Sequence, residues 1–363
     1  MRTGILALLL LWVLTVPARA VDVIGRQTEM LDPDRLENGL TGEAAELMEP
    51  YSPTEQSDLL DGMLRIFRQT LGNSGGVLRS AAAAMLRILT VVILCQLTQS
   101  ICEEKGRTAA AITGALAITA CCGADLNTLI GLGRDTMDRL TNFNQLLLPV
   151  MCGAAAASGG AVGAGAIYTV TCFFSNLLLM AGNNLVIPVM YAYLGLALTD
   201  AAVQQERLKR LRELLGWLIE KGLKTLVYLY TGLLTATGVL AGTADAAALK
   251  AAKLAISSAV PVVGGIISGA AETVLSSAGL LKSSIGTFGM LAIVSVFLFP
   301  FLQIGVSFLM LRITSALSDI LGSCHAGLLE AVSKLMGYLL AMIGSSALMS
   351  LLSCCCFLKA VQL

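Results

Sequence analysis

Long apolar runs separated by short polar breaks make up most of this chain. A helix that crosses a bilayer needs about 20 residues. Runs of that size occupy 80–101, 108–132, 170–199, 223–243, 286–311 and 336–358, giving six candidate spans. Two further stretches, 146–168 and 259–281, are apolar but rich in Gly, Ala and Ser, and carry the Pro-Val pairs Pro149-Val150 and Pro261-Val262. Small residues beside a proline predict broken or re-entrant helical hairpins. The expected fold is all-α: a polytopic transmembrane helical bundle of about six spans plus two broken hairpins.

The beginning of the chain departs from that pattern. Arg2, the apolar run Ile5 to Val16 and the small-x-small Ala18-Arg19-Ala20 read as an export signal over 1–20, with a mature chain starting at Val21 outside the cytoplasm. Residues 21–79 hold eleven acidic residues against five arginines, with Pro33, Pro50 and Pro53. Within them Leu60, Met63, Leu64, Phe67 and Leu71 recur at helical spacing, with Ser52 or Thr54 as the cap, until Gly72-Asn73-Ser74-Gly75-Gly76 ends the pattern. This is an acidic extracytoplasmic segment ending in an amphipathic helix that rests on the membrane or on a partner. Residues 80–363 form the bundle.

Positive charge sets the orientation. Arg207, Lys209, Arg210, Arg212, Lys221 and Lys224 make 204–224 the most basic stretch, so the positive-inside rule places it in the cytoplasm. It also reads as an amphipathic helix with Leu208, Leu211, Leu214, Leu215, Leu218 and Ile219 on one face. An exported N-terminus then puts 102–107 inside and 133–145 outside, with Arg87 near the end of its span, where it can snorkel.

Composition supports lipid as the solvent. The 363 residues are 56% hydrophobic and 13% charged, with a mean hydropathy of +0.79, whereas soluble domains carry about a quarter charged residues. A net charge of zero excludes a nucleic-acid partner recruited through phosphate. Ten cysteines, with no CxxC spacing, sit mostly in apolar stretches and read as packing residues. His325 is the one histidine, too few for an HExxH metal site, and no Walker loop occurs. No catalytic, metal or cofactor site is expected.

Every proline after Pro53 obeys one offset. Pro149 and Pro261 are 112 residues apart, as are Pro188 and Pro300. The same offset superimposes span 108–132 on 223–243, which predicts an internal duplication of about 108–200 and 223–312, with both copies in the same orientation. Polar residues interrupt the apolar runs at Asp125, Asn176, Asn183, Asn184, Glu272, Lys282 and Gln303. Such groups at membrane depth face a cavity or a partner, so they are candidates for a polar path. The candidate helix breaks or close-packing points are Pro149, Gly159, Gly163, Pro188, Pro261, Gly265, Gly269 and Pro300. Gly159/Gly163 and Gly265/Gly269 are GxxxG pairs.

The stretch Lys250-Ala251-Ala252-Lys253-Leu254-Ala255-Ile256-Ser257-Ser258-Ala259-Val260-Pro261-Val262-Val263-Gly264-Gly265, continuing through Ala271-Glu272-Thr273-Val274-Leu275 to Gly279, resembles the stage III sporulation protein AE family. The signal, the acidic segment and the membrane layout fit the same family. The resemblance implies a role in endospore development, in the mother-cell membrane facing the forespore. There the chain would belong to a channel-like complex, with sibling proteins of its operon and a forespore membrane partner. It would act as a permease-like or gating subunit. The alternatives are a non-conducting scaffold for that complex or an independent small-molecule transporter.

Overall fold

Uninterrupted apolar runs without period-two alternation satisfy their backbone within a single segment, and only helices do so. The computed structural model describes residues 36, 39–40, 42–52, 58–157, 173–174, 177, 180–203, 206–236 and 284–360. Its helices are α1 Glu43–Met48, α2 Leu59–Asn73, α3 Gly75–Ile101 and α4 Glu104–Ala157, then α5 Ile187–Val203, α6 Glu206–Ala236, α7 Ser284–Ile320 and α8 Ala326–Ala360. No strand occurs among the described residues. The export signal, 158–172, Asn176 and 237–283, with Glu272, Lys282 and the 259–281 hairpin, lie outside them.

Among the described residues, five helical stretches are long and apolar enough to cross a membrane: Gly75–Ile101, Ala109–Met151, Asn184–Ala201, Ile285–Ile320 and Ala326–Cys355. They coincide with five of the six expected runs. The sixth, 223–243, does not separate from the basic stretch before it. Through residue 236 both form the single helix α6, whose Glu220, Lys221 and Lys224 break the apolar run. The stretch 133–145, expected outside, does not form a separate element. Arg134 to Gln145 continue α4, a helix of 54 residues that reaches about 80 Å at 1.5 Å per residue. Its residues are good helix formers, and the expected break at Pro149 lies inside it.

Contacts fix the directions. α3 and α4 are antiparallel across the turn at Cys102 and Glu103. α8 runs parallel to α4, because a Cβ on Gly133 would meet Leu339 at 2.6 Å and Asn144 bonds Ser350 further along. α7 returns antiparallel to α8, with Gly286 beside Cys354 and Ser315 beside Ala326. The α7–α8 turn is closed by Gly322 at φ 69°, with Ser323 N–H donating to Ser318 O and Gly322 N–H to Asp319 O. That left-handed cap requires glycine. The turn docks on α3 and α4: Gln99 reaches Cys324 at 3.3 Å, and His325 Nε2 bonds Ala111 O at 2.9 Å. At the same end α5 meets α6 through Asp200 and Arg212. The 102–107 turn and the start of the basic stretch thus share one end of the bundle, as the charge pattern predicts.

α8 is the centre. Every residue of its most apolar stretch is buried, against 17% for α3. Leu335, Met336, Leu339, Met342 and Ile343 are sealed by α4, α5, α6 and α7.

α2 caps on Asp58, whose Oδ1 accepts from Leu60 N–H at 3.0 Å, not on Ser52 or Thr54. A carboxylate one residue before the helix reaches its free amide directly. Leu59, Gly62 and Ile66 face inward, while Leu60, Leu64, Phe67 and Leu71 remain exposed. In α6 the expected single apolar face splits. Ile219, Leu223 and Tyr230 are buried, whereas Leu211, Leu214 and Leu218 face outward with Trp217.

Candidate functional site

The inward surfaces of α8 and its neighbours carry a seam of small polar side chains. Asn144 Nδ2 on α4 donates to Ser350 Oγ at 2.6 Å, and Ser350 in turn donates to Ser346 O at 3.0 Å. Tyr230 of α6 meets Ser353 Oγ and donates to Met349 O at 3.2 Å. Ser345 donates to Ala341 O at 2.8 Å. Serines tolerate burial here because each hydroxyl reaches a carbonyl one turn back. Among the described residues, Asn144 Oδ1, Ser318 Oγ and Ser333 Oγ are buried without a hydrogen-bond partner.

A second polar group gathers where α5, α6 and α8 meet. Arg212 pairs with Asp200 at 3.1 Å, the two side chains being only 13% and 16% exposed. Tyr193 and Tyr338 stack edge to face at 5.7 Å, in the space that Gly216 leaves beneath the Tyr338 hydroxyl. The field of Arg212 reaches Glu330, which is also bonded to Lys334 at 2.9 Å. A buried pair of this kind holds its helices in register, because losing one partner strands the other charge away from water.

The expected path residues whose side chains are described, Asp125, Asn184 and Gln303, are dispersed. Asp125 is neutralised by Arg87 at 2.9 Å on the exposed side of α3 and α4. Arg87 stands at the middle of its helix, not near the end, because the span begins at Gly75. Asn183 and Asn184 lie in a π turn, Gly182–Val186, where Asn184 is exposed. Gln303 is half-buried on α7. Among the described residues no hydrogen bond joins Asp125, Asn184 and Gln303.

The expected breaks fare unevenly. Pro188 follows the π turn, in which Ile187 N–H bonds Gly182 O, one residue beyond the α-helical partner. That is the local rearrangement a proline without an N–H favours. Gly182 also lets α5 approach Met137 closely. Pro300 sits within α7. Gly159, Gly163, Pro261, Gly265 and Gly269 lie outside the described residues.

Sequence reasoning overlooked Asn144, Ser350, Tyr230 and Asp200, and read Arg212 only as part of the basic stretch. The serines of α8 were visible as Ser345, Ser346, Ser350 and Ser353, whose spacing places Ser346, Ser350 and Ser353 on one helix face. The Asp200–Arg212 pair had no local signal beyond its position at a helix junction.

A family model for stage III sporulation protein AE matches residues 46–360. A curated stage III sporulation protein AE from Bacillus subtilis (strain 168) is 25% identical over 225 residues, 62% of this chain and 56% of the relative. The match thus spans little more than half of that relative's length. No solved structure matches the chain.

Proposed function

This chain belongs to the stage III sporulation protein AE family, and from that premise we propose that it is an integral membrane subunit of the transenvelope complex between mother cell and forespore. It resides in the mother-cell membrane, contacts sibling proteins of its operon and a forespore membrane partner, and acts there as a permease-like or gating unit. The observation that carries this is α8: a helix buried along its whole most apolar stretch, whose Ser350 and Ser353 meet Asn144 and Tyr230 of neighbouring helices rather than lipid. Polar groups at membrane depth face the bundle interior, where they bond neighbouring helices or line a path, and for this seam we take the second role. The π turn before Pro188 supplies a deformable point next to that core.

We assign the chain no catalysis, metal or cofactor. The parallel repeat at about 108–200 and 223–312, and a sixth span, belong to the same proposal. Pro188 follows a π turn at the start of α5 whereas Pro300 lies inside α7.

The test is functional. Asn144→Leu with Ser350→Ala, and separately Asn184→Ala with Glu272→Gln, are introduced into the chromosomal copy and forespore development is followed. Arrested forespores despite normal protein levels are expected; normal spores from both pairs would remove the conducting role. One observation favours the scaffold reading instead. The Arg87–Asp125 pair stands on an outer face, where a partner rather than a solute would meet it. Purified protein in liposomes that passes no ions or small solutes, yet still captures its siblings, would select the scaffold.

A further inference from the structure

Arg87 lies twelve residues from Gly75 and fourteen from Ile101, about 18 and 21 Å from the two ends of α3 at 1.5 Å per residue. A spanning helix of that length sets the Arg87–Asp125 pair near the bilayer midplane. Yet the two side chains are 60% and 49% exposed. Lipid cannot hydrate either ion, and one mutual contact does not replace the lost water. In a membrane the face needs a polar neighbour.

Its shape suits another helix. Ala120, Ala124, Thr128 and Gly131 follow at helical spacing on the exposed side of α4, and a Cβ at Gly123 or Gly131 would meet nothing. Ala83 and Thr90 flank Arg87 on the exposed side of α3. Small residues let helix backbones approach closely in lipid. Leu86, Leu94, Leu97 and Leu116 border the patch and are exposed as well.

We infer that this face joins two copies of the chain across a two-fold axis, Arg87 of each copy facing Asp125 of the other. The patch is electrically neutral, one cation beside one anion. A partner helix with a single charge would attract one ion and repel the other. A second copy rotated by half a turn presents the complementary order, as two-fold contacts do. Four alternating charges then share the site.

The test uses the full chain in lipid nanodiscs, with native mass spectrometry reading its stoichiometry. A dimer is expected for the unaltered protein. R87D or D125R alone should weaken association at least tenfold, because like charges then meet within and between copies. Differently tagged R87D and D125R chains expressed together should form mixed dimers, since only the cross-copy pairs are then oppositely charged. A photo-crosslinker at Ala124 in the otherwise unaltered chain should give a covalent homodimer, and this arm stands even where a charge variant fails to fold. A monomer, a dimer indifferent to both charge changes, or an adduct only within one chain or to a different protein would overturn the inference.

Discussion

α8 and α3 are both apolar enough to span a membrane, and the molecule treats them in opposite ways. α8 is wrapped on every side along its most apolar stretch, with Ser345, Ser350 and Ser353 hydrogen-bonded and Leu339 against Gly133. α3 packs on one flank through Ile88 and Val92, and offers Leu86, Leu94 and Leu97 outward. In lipid, apolarity alone gives no reason for a helix to be inside, since acyl chains are as apolar as leucine. What distinguishes the two is side-chain shape and polarity. α8 presents small hydroxyls that can bond their own carbonyls while neighbours close in. α3 carries an arginine that no four-sided apolar packing would accommodate.

Cavity formation gives the largest expected contrast. Leu339→Ala on α8 is expected to destabilise the protein by about 2–5 kcal/mol, whereas Leu97→Ala on α3 should stay within about 0.5 kcal/mol. Reversible unfolding in mixed micelles measures both, and equal costs would erase the distinction. Next comes the charged joint at the edge of α8. Arg212→Ala strands Asp200 and should cost about 3 kcal/mol, with much of that loss recovered in D200N/R212Q. A double variant no better than the single one would mean that the pair does not hold the helices. The hydroxyl seam is a finer probe. Asn144→Ala or Ser350→Ala should each cost about 0.6 kcal/mol, the usual size of an intramembrane hydrogen bond, and the double change should cost less than the sum. Additive losses would show that Asn144 and Ser350 do not share their contact.

The smallest effect lies outside both helices. Burial, with Glu46 beside it, raises the Glu43 carboxyl above its ordinary range. A raised carboxyl favours the protonated folded form, so its contribution is present below the unfolded pKa and lost as pH rises through the folded one. Glu43→Gln should therefore flatten that part of the stability–pH curve, leaving the α8 and α3 variants in the same order.

Much of the architecture was legible along the chain. The helix-only character, five of the spans, the shared end of 102–107 and the basic stretch, and the break before Pro188 all follow from apolar run length, charge and the missing proline N–H. The continuity of 133–145 with the span before it was not legible, because polar residues such as Arg134, Asp135 and Asn142 mark an exit from lipid but do not say whether the helix goes on. The split face of α6 escaped notice because periodicity identifies an apolar stripe without saying whether protein or lipid meets it. The polar residues were visible one by one, but not their partners: Arg87 is 38 positions from Asp125 and Asn144 is 206 from Ser350.

The sequence by itself determined the solvent, the helices and the family, because hydropathy, run length and turn chemistry are local properties of the polymer. Only the tertiary structure decided that α8 is central and α3 peripheral, that Arg212 closes on Asp200, and that Asn144 reaches across to α8. Those choices depend on which side chains fit beside each other after distant segments meet, and no local pattern encodes that fit.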